Sequence, residues 1–501
     1  MTEGVALLVS GLAQAFDPTT LGLCLAGVLL GTLVGVLPGL GPVATIALLL
    51  PITFSLPTAG ALIMLAGIYY GAQYGSSTTA ILLRVPGEAS GVVTAQEGYR
   101  LAQAGRGGPA LGIAALASLV GGVLSALALA VVMIPLARWS VTIGPAETAC
   151  LMVLGIAAAV ALTRGSLTAN WALAAFGALL GLIGTDVAGG HPRFTFGIPE
   201  LRDGIGFIPL AMGLFGVAEL IRALGAREQD SPPLSATSAW PTRADLTSAL
   251  APAVRGGVIG TAVGLLPGAS TLLAALAAQA SERGLFRRHG AWGHGEMAGV
   301  AAPEAANNAA AQSSFAPLLA LGLPANAVMA VIAGAMVLQG VAPGPAVVTH
   351  HPELIGAIIA SLLLGNGMLV VLNLPLVGLW VAVLRVPLRW LAAFVVVVSC
   401  GGLWISTGSA VDLWLLLAFS LLGWALLRAG MDATPVLTGF VLAPPFEEAL
   451  RRTLVLARGD WGVFLESPLS ATLLVATVGV TGIAVWRTHW SVSLRPSGNC
   501  K

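Results

Sequence analysis

Charge is scarce in this chain. Of its 501 residues only 9% are Asp, Glu, Lys or Arg, while 57% are hydrophobic, and mean hydropathy is +0.91. A soluble globular protein carries about 25% charged residues, so this composition excludes a water-facing globular surface. Lysine is nearly absent: the only one is Lys501, and the other basic residues are arginines, which reads as the coding bias of a GC-rich genome. The net charge of +1 gives no reason to expect a nucleic-acid partner. Cysteine is sparse too. Cys24, Cys150, Cys400 and Cys500 stand far apart with no CxxC, and the first three lie in apolar segments. Cysteine behaves there as a small hydrophobe, so disulfide and metal roles are not expected. The zinc signature HExxH is missing, and His350-His351 has no matching carboxylate-bearing helix. No pair of aspartates suits an intramembrane protease or a prenyl-diphosphate enzyme. The alternating strands of an outer-membrane barrel are absent, and Met1-Thr2-Glu3-Gly4 lacks a basic signal-peptide n-region.

What is present is a series of apolar runs, among them Leu21 to Leu37, Ala110 to Pro135, Thr148 to Leu162, Ile355 to Leu384 and Leu469 to Val485. A helix needs about 20 apolar residues to cross the hydrocarbon core, and by that measure the chain holds about 12 membrane-embedded segments, several short or broken. The expected fold is an all-α membrane protein. Val5 to Phe16 reads as a short surface-lying or re-entrant helix. No stretch suits an extramembrane domain, so a soluble receptor or ATPase is expected on a separate chain.

Two stretches are nearly identical. Gly31-Thr32-Leu33-Val34-Gly35-Val36-Leu37-Pro38-Gly39 returns 229 residues later as Gly260-Thr261-Ala262-Val263-Gly264-Leu265-Leu266-Pro267-Gly268. Paired Gly/Pro-interrupted apolar segments in two halves of a membrane chain point to a transporter's binding site. The polar stretch around Arg222 to Arg243 separates the halves, giving residues 1–225, a linker 226–243, and residues 244–501. Each half continues with a polar cluster: Tyr69 to Thr79, containing Ser76-Ser77-Thr78-Thr79, and Ala305 to Ser314, containing Asn307-Asn308 and Gln312. Each cluster leads to an apolar run closed by proline.

Arginine placement sets the orientation. Pro51 to Thr58 carries no basic residue, whereas Ser281 to His294 carries Arg283, Arg287 and Arg288. After the clusters the asymmetry reverses: Gln73 to Gly108 holds Arg84, Arg100 and Arg106, and Gln339 to Glu353 holds none. Arg-bearing short loops stay cytoplasmic, so the halves read as two inverted repeats with the substrate between them near the midplane.

Pro38 and Pro267 stop a helix by removing an N–H, and Gly39, Gly41 and Gly268 permit close backbone approach. The half-helices that follow, Val43 to Leu50 and Leu272 to Gln279, aim free N–H groups at the break, an arrangement that suits an anion. Substrate-binding candidates are therefore Pro38, Gly39, Gly41, Ser76, Ser77, Thr78, Pro267, Gly268, Asn307 and Asn308. Gly39, Ser76, Glu304 and Asn307 are candidates for the coupling ion, since hard cations favour oxygen ligands. Plain inter-helix hydrogen bonding is the alternative for any one hydroxyl or amide. Glu304, an acid within an apolar stretch, reads either as a coupling group or as a cap on a helix starting after Pro303. Glu88 and Glu97 read as solvated loop acids, and Asp186 and His191 as loop residues.

These motifs resemble the TctA family, the large membrane subunit of the tripartite tricarboxylate transporters, over roughly residues 20 to 440. The carrying segments are Gly35 to Pro42, Tyr69 to Ser76, Val85-Pro86-Gly87-Glu88, Gly264 to Gly268 and, the most specific, Gly299 to Ala309. The resemblance implies a permease of the bacterial inner membrane that works with a small four-helix membrane subunit and a periplasmic solute-binding protein. It implies cation-coupled uptake of citrate-like di- and tricarboxylates, driven by sodium or protons, with no cofactor. It departs from the family pattern at Pro267-Gly268-Ala269-Ser270, where Pro-Gly-Ala-Gly is usual, and at Leu321-Gly322-Leu323-Pro324-Ala325, where Leu-Gly-Ile-Pro-Gly is usual. An intramembrane enzyme lacks its motifs here, and a channel fits paired broken helices less well than alternating access does.

Overall fold

The computed structural model describes residues 2–37, 40–85, 87–163, 165–186, 189–225, 239–266, 270–284, 292–383 and 388–493. Both hairpin tips, Pro38-Gly39 and Pro267-Gly268, lie outside these residues, as do Pro86, Arg287, Arg288 and linker residues 226–238.

The structure is nearly all helix, as the apolar runs lead one to expect. Its contacts separate two compact units, Met1–Ser140 with Ile208–Trp424, and Val141–Phe207 with Ala425–Lys501. The first stretch of unit one carries α1 (Thr2–Ala15), α2 (Pro18–Gly35), α3 (Pro42–Leu49), α4 (Thr58–Leu83), α5 (Gly91–Gln103) and α6 (Gly107–Val141). Unit two follows with α7 (Pro145–Leu162), α8 (Leu167–Gly181) and a minimal hairpin, β1 (Gly184–Thr185) and β2 (Pro192–Arg193). Unit one resumes with α9 (Phe207–Ala211), a π-helical turn over Met212–Val217, α10 (Ala218–Gly225), α11 (Arg243–Gly264), α12 (Thr271–Gly284), α13 (Ala298–Ser313) and α14 (Phe315–Leu321). It continues through α15 (Ala327–Leu338), α16 (Pro345–His350), α17 (Pro352–Asn373), α18 (Val377–Val383), α19 (Leu388–Thr407) and α20 (Ala410–Arg428). Unit two closes with α21 (Thr434–Leu456), α22 (Val463–Glu466) and α23 (Pro468–Ser493).

Among the described residues, eight helical stretches are long and apolar enough to cross a membrane, and four shorter apolar helices accompany them. The chain is a multi-pass membrane protein. Neither α4 nor α13 is among these stretches: polar residues interrupt α4, and α13 is only 16 residues long. Both are nevertheless buried almost end to end. A helix that faces protein on all sides belongs at the centre of its unit. The N-terminal helix does not lie free on a surface. A Cβ at Gly11 of α1 would overlap the carbonyl of Gly356 in α17.

The repeated motif corresponds to repeated packing. In the first copy, Gly27, Gly31 and Gly35 of α2 press against the backbone at Met64, Ile68 and Ala72 of α4. In the second, Gly256, Gly260 and Gly264 of α11 press against Ala302, Ala306 and Ala310 of α13. At all six positions a Cβ would collide with a carbonyl oxygen. Small residues four apart form one ridge of a helix, and in membranes such ridges let backbones meet. Smaller details recur as well. Thr32 and Thr261 each donate to the carbonyl four residues back at 2.8 Å. Arg84 ends α4 in the left-handed conformation, as Gly322 ends α14. The copies also differ: α4 is continuous, whereas α13 and α14 are separated at Ser314. Pro317 has no N–H for the carbonyl of Ser313, so the helix breaks there.

Unit two uses the same device. Gly177 of α8 lies on Val436 of α21, and Gly439 of α21 lies on Ala174 of α8. The hairpin is fastened to α21 by ions. Arg193 donates to both oxygens of Glu447 at 2.7 and 3.1 Å, and Arg451 reaches Asp186 at 3.1 Å and Glu447 at 2.6 Å. Asp186, read from sequence as a plain loop residue, is part of this fastening. Cys24 and Cys150 are free and buried, in keeping with their apolar surroundings.

The glycine ridges are open to test by thermal unfolding in detergent. Gly31→Ile and Gly260→Ile are each expected to lower the melting temperature, since overpacking costs about 1–3 kcal/mol. Gly22→Ile, on the same α2 but with nothing near its Cβ, is expected to leave it unchanged.

Candidate functional site

Both polar clusters lie within buried helices, and they meet. Ser76, Ser77 and Thr78 sit in the C-terminal half of α4, and Glu304, Asn307 and Asn308 sit on α13. Ser77 Oγ donates to Glu304 Oε2 at 2.8 Å, and Thr94 Oγ1 from α5 donates to Glu304 Oε1 at 2.5 Å. The acid of the second repeat is thus held by two hydroxyls of the first. The capping reading of Glu304 fails: α13 begins at Ala298, Pro303 sits inside it, and both carboxylate oxygens are engaged by hydroxyls. Glu304 is 1% exposed. Among the described residues neither Glu304 nor Glu88 forms an ion pair.

The two asparagines separate in role. Asn308 donates to Ser118 O at 2.6 Å and to Asn366 Oδ1 at 2.8 Å, and accepts from Gln312 Nε2 at 3.4 Å. Its amide is taken up in joining α13 to α6 and α17. Asn307 is 5% exposed, and its Oδ1 has no hydrogen-bond partner among the described residues. A buried acceptor left unpaired costs about 1–3 kcal/mol. Asn307 is therefore equipped to receive a donor from elsewhere, as are Gln73 and Gln312, whose Oε1 atoms are likewise unpaired among the described residues.

Around the first break, Gly41 is the extended N-cap of α3, with Pro42 at the first helical position. Proline is suited to that position, where its missing N–H costs nothing. No side chain caps α3, so its first N–H groups stay open toward the break. Ser270 occupies the corresponding place before α12 and caps it, accepting from Leu273 N at 3.2 Å. That cap is what the serine contributes where the family usually has glycine. Ala325, the other departure, takes no left-handed backbone angle, so alanine fits there without strain.

The loop after α4 folds back over this region. Ser76 Oγ accepts from Glu88 N at 2.9 Å. A Cβ on Gly87 would stand 3.2 Å from Gly35 O, 3.4 Å from Ser76 Oγ and 3.5 Å from Leu40 O. Glu88 then reaches the other break, accepting from Thr271 Oγ1, the first residue of α12, at 2.7 Å. The solvated reading of Glu88 is overturned, and that of Glu97 equally. Glu97 is 1% exposed and accepts from the backbone N–H groups of Gly293, Gly295 and Glu296 at 2.8, 3.0 and 3.2 Å, with Arg283 at 3.4 Å. Successive N–H groups make a concave anion nest, which Glu97 fills with its own carboxylate. Arg283 also stacks over Trp292 at 4.7 Å. Of the predicted residues, Ser76, Ser77, Thr78, Glu304, Asn307, Asn308 and Gly41 lie in described structure, and Ser77 bonds to Glu304 directly. Thr78 is buried in α4. Thr94, Thr271, Glu88 and Glu97 were not among the predicted site residues.

Residues 21–438 match the family described as the tripartite tricarboxylate transporter TctA family. The chain belongs to this family. Both breaks, both clusters and the acids Glu88, Glu97 and Glu304 fall inside the matched stretch, while α22 and α23 follow it. An Agrobacterium vitis protein described as an uncharacterized 52.8 kDa protein in the TAR-I ttuC' 3' region is 45% identical over 486 residues, covering 97% of each chain. A second protein of that organism, described as an uncharacterized protein in the TAR-II ttuC' 3' region, is 46% identical over 215 residues, 43% of this chain and 89% of its own length. No solved structure matches. The family places this chain as a subunit of a tripartite tricarboxylate transporter.

The nest around Glu97 carries an expectation of its own. Hydrogen bonds to a charged group contribute about 1.5–3 kcal/mol each. Glu97→Gln should lower the unfolding midpoint in detergent clearly, whereas Gln96→Ala, at its exposed neighbour, should change it little.

Proposed function

We propose that this chain is the permease of a secondary active carrier that takes up citrate-like di- and tricarboxylates. A periplasmic binding protein delivers the substrate, a small four-helix membrane subunit accompanies the chain, and a sodium or proton gradient across the bacterial inner membrane drives uptake. The observation that carries this reading is the contact of Glu304 with Ser77 and Thr94. It is a buried acid with no ion pair among the described residues, held between two repeats. Acids inside a membrane are costly and mark ion pathways. Among the described residues no Arg or Lys pairs with the cluster side chains, so a carboxylate substrate's charge is met by helix N-termini and by a cation that enters with it.

On this reading the anion sits by the open N-terminus of α3 and the start of α12. Pro38, Gly39, Pro267 and Gly268, which lie outside the described residues, are assigned to it from the sequence pattern, and Ser76, Thr78 and Asn307 line it. Asn308 supports the site from behind through α6 and α17. Glu304 is the coupling group. The reversed arginine pattern supports opposed insertion of the two repeats, so that one hairpin enters from each side.

Uptake of labelled citrate into proteoliposomes, with both partner proteins present, tests the site. Uptake is expected only with a cation gradient. Asn307→Ala and Ser76→Ala should each reduce it at least about tenfold, the effect of losing ~1.4 kcal/mol, while the proteins still insert. Wild-type uptake in both variants would sink the assignment. Opposed insertion is checked by membrane-impermeant labelling of single cysteines in a cysteine-free background. Ser55→Cys should react from the periplasmic side and Arg288→Cys from the cytoplasmic side.

A further inference from the structure

We infer that Glu88 binds a sodium ion between the described residues that flank the two chain breaks. This rests on the transport reading above and extends it by naming the ion and the residue that holds it.

Glu88 sits in the loop joining α4 to α5. Its backbone N–H is fixed by Ser76 and its Oε1 by Thr271, so one short loop spans from the first break to the second. Its Oε2 is shielded from solvent, with the Ser90 hydroxyl nearby but no hydrogen bond of normal geometry to it or to any other described group. Glu88 is half-buried, but an oxygen of a carboxylate that is shielded from water and left without donor or counter-ion is unfavourable. A second acid, the buried Glu304, lies within electrostatic range. Hydroxyl donors already occupy both of its oxygens, so Glu304 cannot relieve Glu88.

The groups around this corner are oxygens. Gly35 O, Leu40 O and Ser76 Oγ converge beside Gly87, and the hydroxyls of Ser90 and Thr271 flank Glu88. Gly35 is the last residue of α2, so its carbonyl belongs to a helix end short of donors and carrying the negative end of the dipole. A proton can satisfy one pair of oxygens. Carbonyls, hydroxyls and a carboxylate gathered at one point are instead the ligand set of a hard metal cation. A single carboxylate suits a monovalent ion. Among the described residues no group of three His, Cys, Asp or Glu side chains forms a divalent site. A cation at Glu88 also resolves the charge problem of an anion docking at the neighbouring helix starts, because the two would neutralise each other.

The test is thermal unfolding of the full-length chain in detergent, without substrate or partners, as sodium chloride replaces potassium chloride at constant ionic strength. A ligand that binds only the folded state raises the melting temperature in a saturable way. Sodium, not potassium, is expected to do so for the wild type. Glu88→Gln should raise the half-saturating sodium concentration at least about tenfold, since a charged ligand is lost. Glu353→Gln, at an exposed helix start, should leave it unchanged. Should Glu88→Gln fail to fold, Thr271→Ala keeps the charge, removes the hydroxyl together with one methyl group, and is expected to weaken sodium several-fold. A wild-type sodium response in Glu88→Gln, or in Thr271→Ala where Glu88→Gln does not fold, overturns the inference. So does a wild type that responds equally to potassium. Either result leaves the uptake reading standing, because binding is read without transport. Intact sodium binding with no carboxylate uptake would instead sink the proposed function alone.

Discussion

A helix interrupted at membrane depth has backbone groups that lipid cannot satisfy. The rest of unit one depends on this constraint. The breaks after α2 and α11 need protein packed closely behind and beside them, and the glycine ridges supply it. Because the ridges carry no side chains, α4 and α13 run against α2 and α11 backbone to backbone. The same close approach brings the polar residues of α4 and α13 to the level of the breaks. One packing rule therefore accounts both for how the broken segments are tolerated and for where the hydroxyls, amides and acids collect.

The parts of this arrangement written in short segments were legible in the sequence. Gly-Thr-x-Val-Gly-x-Leu-Pro-Gly marks both broken helices, and the half-helices begin within a residue of where the Pro-Gly pattern puts them. The clusters at Ser76 and Asn307 were found because serine, threonine and asparagine stand out in apolar surroundings. The roles of Glu88 and Glu97 in joining distant segments were not legible. Their partners, Thr271 and the N–H groups of residues 293–296, are distant in sequence, and three backbone amides leave no letter to read. A glutamate in an Arg-bearing loop looks solvated until the fold closes over it. Glu304 misled in another way: Pro303 suggests a helix start, but this proline is taken inside a helix that began earlier. Asn307 and Asn308 are adjacent letters whose difference in role emerges only from what surrounds each amide.

The acids are exchanged between the repeats. Glu88, from the first, engages Thr271 of the second, and Glu304, from the second, engages Ser77 and Thr94 of the first. Each repeat thus supplies a charge that the other must accommodate. In such an arrangement the bonds that hold the acids also hold the repeats together, so a change at either acid is a change in the fit between repeats.

The copies are not quite in step. Matched glycines on α2 and α11 are 229 residues apart, but their contacts on α4 and α13 are 238 apart, Met64 to Ala302. Nine further residues therefore lie between the paired helices of the second repeat, in the stretch that leads to α13. Lengthening a loop costs little entropy by itself, so a duplicated chain can grow there without disturbing either ridge. The end of this longer connection is the segment clasped by Glu97 of the first repeat. The longer connection of the second copy is thus held by the first, and the two copies are not interchangeable.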